Sequence, residues 1–350
     1  MPSAGRVFGV GIGGPALADE ERRILERNPP WAIVLFRRNL PSAESVVRLV
    51  EELKRLPGPP VLCVDQEGGP VDRFRGILGS TASFRDVSRA GLARRAGELA
   101  GRACRHLGFD VDFAPVVDRE LPGASDRVLA GRCAASDPGQ VVEAALEFLL
   151  GLHAEGVGGC VKHFPGLGRA DLDTHQTLPL LPDDPEEEAR DLAPFAATME
   201  LAGAVMVSHA AGPEGLPASL SPLRIQHLLR RSLGFRGAVF SDDLEMGALS
   251  AFGDLPDRCV EAMRAGCDLL NVCSRIDEYA DCVDAVERDV AGTRLDEAAS
   301  RLADYRDRLA EFRERAPHPD PLTPEQGGGS DGLDALRAEI RALREEATTA

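Results

Sequence analysis

The sequence predicts an α/β chain folded as a single (β/α)8 barrel, followed by a linker and a short C-terminal amphipathic helix. Three observations carry this. Eight short, β-rich apolar runs alternate with segments of helical periodicity. Most of the runs are continuously apolar, as strands covered on both faces of a parallel sheet must be. The unusual polar residues fall just after those runs, where barrels gather their chemistry at one mouth. A doubly wound open sheet is the competing arrangement, since alternation alone does not show closure.

The strands are read at 6–12, 31–36, 60–64, 110–114, 157–161, 203–207, 237–240 and 268–272. Between them lie "ADEERRILER", "SAESVVRLVEELKRL", "RRAGELAGRACRHL", "GQVVEAALEFLLGLHAEG" and "PLRIQHLLRRSLG". Their apolar residues return every three or four positions, and several follow a Ser or Asp cap. The barrel is expected to occupy residues 1–315. Residues 316–332, rich in Pro, Gly and Ser, read as a linker. In 333–347, Leu333, Leu336, Ile340 and Leu343 follow 3-4-3 spacing, a self-association element or a cover on the barrel's outer face.

Bulk properties narrow the function. The chain has 350 residues, 43% apolar and 28% charged, enough to bury a large core. A net charge of −17 argues against nucleic acid or an anionic membrane as partner, and leaves a small molecule open. Cys63, Cys104, Cys133, Cys160, Cys259, Cys267, Cys273 and Cys282 show no CxxC spacing, so they read as buried free thiols. With neither a signal peptide nor a membrane-length apolar stretch in view, the expectation is a reduced, cytoplasmic protein.

Five strand ends concentrate the candidate chemistry. In "FSDDLEMGA", Asp242 follows the seventh strand and can attack an anomeric carbon or stabilise a developing cation, while Asp243 can cap the next helix. Lys162 and His163 alternate across the end of the fifth strand, so one or both can face the cavity. His175 lies two residues after Asp173 in a Gly-rich loop. A turn there can seat the carboxylate on one imidazole nitrogen and leave the other to exchange a proton. That loop lacks a convincing third metal ligand, so neither metal nor cofactor is expected. Asp65, Arg73 and Arg132 are residue types that recognise polyols, the carboxylate accepting hydroxyls and the guanidinium forks donating. "GIGG" lacks phosphate-loop spacing and reads as a site of close backbone approach at the rim.

Together "GIGG", "VDQEGG", "DFAPVVD", "KHFPGLG" with "DTH", and "FSDDLEMGA" with "AGCDLLNVC" resemble glycoside hydrolase family 3. Within it they resemble most the single-domain bacterial β-N-acetylglucosaminidases, cytoplasmic enzymes of cell-wall recycling. The resemblance implies a TIM barrel and a retaining hydrolase of terminal β-linked N-acetylglucosamine. It makes Asp242 the nucleophile, His175 the acid/base partnered by Asp173, and Asp65, Arg73, Arg132, Lys162 and His163 the sugar-binding set. Leu167 stands where the family commonly has His, Pro70 where it has Arg, and "RCA" where "RSF" or "RSY" is usual. The competing activities are phosphorolysis of the same bond, a β-glucosidase or xylosidase preference, a sugar-binding scaffold without catalysis, and a Lys162 Schiff-base aldolase.

Overall fold

A computed structural model describes residues 4–121, 129–170, 178–316 and 331–349. Eight parallel barrel strands run Phe8–Gly11, Ala32–Leu35, Val61–Val64, Val111–Asp112, Gly158–Phe164, Ala204–Val207, Ala238–Asp243 and Leu269–Val272, the fifth interrupted at Cys160. That strand closes the sheet: Gly158 and Gly159 pair with the fourth strand, and Val161–Phe164 pair with the sixth. The open-sheet alternative is thereby excluded. Nearly every strand residue is buried, which is why the runs are apolar without alternation.

The lower end of the barrel is plugged by aromatic rings. Tyr305, on helix Gly292–Arg315, lies 5.9 Å from the Phe240 ring and 6.3 Å from Trp31, and its hydroxyl donates to the Gly159 carbonyl at 2.7 Å. A Cβ at Gly158 would sit 2.2 Å from Leu309 Cδ2, so the glycines of "VGGCV" admit this helix. At the upper rim, a Cβ on Gly11 would lie 1.9 Å from the Cys273 carbonyl oxygen, the close approach expected of "GIGG". All eight cysteines are buried free thiols. Among the described residues, no helix is long and apolar enough to cross a membrane.

The C-terminal helix runs Asp331–Thr349, past both edges of the expected 333–347, with its buried apolar stripe running from Leu333 to Ala347. It packs on the outer helices Arg75–Leu78, Phe84–Arg89 and Ala93–Leu107 of the same chain. Leu333, Leu336, Ile340, Leu343 and Ala347 are all buried there. Arg102 forks onto Glu339 at 3.0 and 2.9 Å, and Arg337 donates to the Ile77 carbonyl at 2.9 Å. The stripe that invited self-association is thus already covered by the chain itself.

Below the mouth, Asp112 is fully buried at the end of the fourth strand. Its Oδ1 accepts the Gln66 N–H at 2.8 Å, while Oδ2 has no partner among the described residues. Burial pushes this carboxyl up to about 7, with Asp65 and Glu67 adding to the rise. Because the folded value lies above the unfolded one, the group's contribution is full below about pH 4 and fades as pH rises to about 7. Asp112→Asn should therefore be more stable than wild type at pH 8, by up to about 4 kcal/mol, and near equal at pH 4. Urea unfolding at the two pH values checks this, and a variant weaker than wild type at pH 8 contradicts it.

Candidate active site

The strand ends surround a cavity of about 310 Å3 at the barrel mouth, at the small end of the ~300–1,000 Å3 usual for ligand pockets. Asp65, Glu67, Arg73, Arg132, Lys162, His163, Asp242 and Asp243 line it with Phe36, Phe113, Leu167, Met206 and Met246. Six of the eight proposed site residues are therefore brought together. Asp173 and His175 lie outside the described residues.

After the third strand the chain makes a two-stranded hairpin, Gln66–Gly68 with Val71–Asp72. Gly68 and Gly69 take positive φ at its tip, which explains "EGG". The Gln66 side chain ties the hairpin's exit, accepting from the Arg73 and Phe74 N–H groups at 2.9 and 3.0 Å. Arg73 then reaches back to Asp65 at 3.5 Å and lies over the Phe36 ring.

Glu67 is the hub. Its carboxylate sits 2.6 Å from Lys162 Nζ and accepts a fork from Arg132 Nε and Nη2 at 2.7 and 2.9 Å. Lys162 also donates to Asp65 at 2.7 Å. Burial opposes ionisation of Glu67, but the Arg132 and Lys162 charges outweigh it and hold the carboxyl far below its ordinary value. The same carboxylates raise Lys162 above its ordinary value against its burial. Glu67, Lys162 and Arg132 thus stay ionised at the cavity floor, with donors and acceptors fixed for hydroxyl groups.

His163 has a determined tautomer. Its Nε2 faces Arg132 Nη2 at 3.1 Å, and a guanidinium only donates, so Nε2 accepts. Nδ1 then carries the proton and donates to Asp118 Oδ2 at 2.7 Å. The other Asp118 oxygen accepts the Leu167 N–H at 2.6 Å, so one buried aspartate sets both the imidazole and the loop after it. Lys162 and His163 both face the cavity although strand alternation would separate them; pairing with the sixth strand shifts register between Lys162 and Phe164. Leu167 joins a small apolar cluster with Val116, Leu129 and Cys133, surroundings that suit a leucine better than an imidazole.

Asp242 and Asp243 end the seventh strand rather than following it. Burial works to raise Asp242, but His209, His163, the Asp243 N–H and Lys162 together hold it below its ordinary value, so it is a carboxylate at neutral pH. Asp243 does not cap the next helix: its side chain accepts from the Glu245 N–H at 3.1 Å, and Asp254 caps helix Leu255–Ala265. Burial and the neighbouring Glu245 push Asp243 up to about 7. Buried His209 donates through Nε2 to the Asp243 carbonyl at 2.8 Å, its Nδ1 accepting from Ser219 at 2.7 Å, which pins the backbone beside Asp242.

Glu67, Asp118 and His209 were not singled out from the sequence. Their signals were present: Glu67 and Asp118 lie inside "VDQEGG" and "APVVD", and a buried lysine beside one aspartate calls for a second carboxylate. Among the described residues, no cluster of three or more His, Cys, Asp or Glu side chains could hold a metal ion.

The family model of the glycosyl hydrolase family 3 N-terminal domain matches residues 9–305. The chain belongs to glycosyl hydrolase family 3. As a family 3 hydrolase it can be set beside curated and solved relatives. The β-hexosaminidase of Stenotrophomonas maltophilia (strain R551-3) is 37% identical over 278 residues, covering 75% of this chain and 82% of that one. That of Methylococcus capsulatus is 35% identical over 288 residues, 79% of this chain and 86% of the other. NagZ from Neisseria gonorrhoeae, in complex with N-trifluoroacetyl-D-glucosamine, matches at 28% identity with a TM-score of 0.77, over 97% of this chain and 98% of that chain. A family 3 β-N-acetylglucosaminidase from Paenibacillus sp. str. FPU-7 gives a TM-score of 0.84 at 30% identity, over 97% of this chain and 68% of that one.

Proposed function

We propose that this family 3 hydrolase is a retaining β-N-acetylglucosaminidase that removes terminal β-linked N-acetylglucosamine, with cell-wall fragments in the cytoplasm as its substrates. The observation that carries the reading is an ionised Asp242 at the rim of a single-sugar cavity whose floor is the Asp65–Lys162–Glu67–Arg132 network. The relatives named as β-hexosaminidases support the sugar.

In this mechanism Asp65, Arg73, Arg132, Lys162 and His163 hold the sugar's hydroxyls and acetamido group. Asp242 attacks C1 as His175, oriented by Asp173, protonates the glycosidic oxygen. The C1–O bond breaks, the aglycone leaves with that proton, and a glycosyl–Asp242 ester remains. Neutral His175 then takes a proton from water as its oxygen attacks C1, releasing Asp242 and β-N-acetylglucosamine. An imidazole with a reference pKa of about 6.5 can donate and accept at neutral pH without strong tuning. The two steps consume only water.

Hydrolysis of p-nitrophenyl N-acetyl-β-glucosaminide, followed by proton NMR, tests the reading. First-formed β-anomer supports it. First-formed α-anomer, sugar 1-phosphate at millimolar phosphate, or a higher kcat/KM on the glucoside or xyloside would each overturn it.

A further inference from the structure

The C-terminal helix reaches closer to the sugar-binding network than its place on the outer surface suggests. A narrow internal cavity of about 40 Å3 lies beneath it. Ile340 and Leu343 of the helix form one part of its wall, and Gln66, Glu67 and Gly68 of the hairpin form another. Thr81 and Ala82 also line it. Thr81 donates its N–H and hydroxyl to Asp72 at 2.9 and 3.0 Å, which fastens this strap to the hairpin's second strand. A Cβ on Gly68 would stand 2.5 Å from the Ala82 carbonyl oxygen, so hairpin and strap are already in contact. Arg337 donates to the Ile77 carbonyl on helix Arg75–Leu78, which precedes Thr81 and Ala82 in the chain.

We infer that helix Asp331–Thr349 is a positioning element for the sugar site, with Ile340 and Leu343 acting through the hairpin to keep Glu67 seated between Lys162 and Arg132. The physical reason is the narrow tolerance at Glu67. Three contacts of 2.6–2.9 Å, to buried Lys162 and part-buried Arg132, must hold at once. A hairpin that relaxes by a few tenths of an ångström toward an enlarged cavity loosens all of them together. Packed interiors pass such displacements on because few voids exist to absorb them. Shortening a side chain at the cavity wall gives the hairpin somewhere to go; shortening one elsewhere on the same helix does not.

The inference rests on the sugar-binding role of this network, and the test separates the two. KM, kcat and Tm are measured for wild type, Ile340→Val, Ile340→Ala and Leu336→Ala. Leu336 is equally buried on the stripe but does not line the cavity. Ile340→Ala is expected to raise KM at least fivefold with kcat changed less than twofold, and Ile340→Val to fall between it and wild type. Leu336→Ala is expected to lower Tm by several degrees while KM stays within twofold. Should Ile340→Ala not fold, the milder valine variant still reads a smaller KM rise of the same sign. Equal KM for Ile340→Ala and wild type, or a matching KM rise in Leu336→Ala, would overturn the inference. Binding of N-acetylglucosamine to wild type by calorimetry is the separate arm: its absence would defeat the sugar-site reading itself.

Discussion

Asp242→Ala should lower kcat on p-nitrophenyl N-acetyl-β-glucosaminide by on the order of 10^4-fold while leaving the fold intact. The side chain's hydrogen bond is a local one, its Oδ1 accepting from the Asp243 N–H at 2.8 Å, so its loss removes little structure. What disappears is a carboxylate that stays ionised despite its burial. Azide supplies a chemical check. Entering the space left by the missing carboxylate, it can form a C1–N bond as the nitrophenolate leaves, giving the α-glycosyl azide and restoring nitrophenol release. Retained hydrolysis by Asp242→Ala would remove Asp242 from the mechanism.

The second large effect belongs to Glu67. Glu67→Ala strips the shared partner from Lys162, 2% exposed at its side chain, and from Arg132. Lys162 keeps Asp65 at 2.7 Å, so the loss falls below that of a fully uncompensated buried charge, at about 1–3 kcal/mol, still more than a surface ion pair contributes. KM should rise roughly tenfold or more, since both cations lose the geometry in which they meet the sugar. Glu67→Gln keeps the shape and one acceptor and should fall between. The sign of the acid dependence follows from the depressed carboxyl. Stability from this group is full above the unfolded value of about 4.3 and is lost progressively as pH falls from there towards the much lower folded value, so part of it is already gone at pH 3. Wild type should therefore lose the whole of its advantage over Glu67→Gln only in strong acid. Chemical unfolding of both at pH 3 and pH 7 reads this, and an unchanged stability in Glu67→Ala would contradict the hub role.

The barrel was legible because its physics is local. Runs such as "WAIVLF" and "PVLCV" need no partner to declare themselves buried, and Ser42 and Asp137 mark helix starts where they cap them. The strand-end rule then gathered Asp65, Arg73, Arg132, Lys162, His163 and Asp242 to one mouth. What stayed hidden depends on contacts across the barrel. Glu67 meets Arg132 over 65 residues of chain, and Asp118 meets His163 over 45. No spacing rule joins residues so far apart. Asp243 misled for the opposite reason: an aspartate before a turn resembles a cap, and only the strand's extension to residue 243 places it in the cavity wall. The C-terminal stripe was visible as amphipathic, but a stripe does not say what covers it.

Covalent trapping tests the central claim most directly. A 5-fluoro N-acetylglucosaminyl fluoride combines a leaving group that speeds glycosylation with a fluorine that slows both steps, so the ester accumulates. Peptide mapping of the trapped protein should place one fluoro-N-acetylglucosaminyl group on Asp242. A label on another residue, or turnover of the reagent with no label at all, would contradict the account.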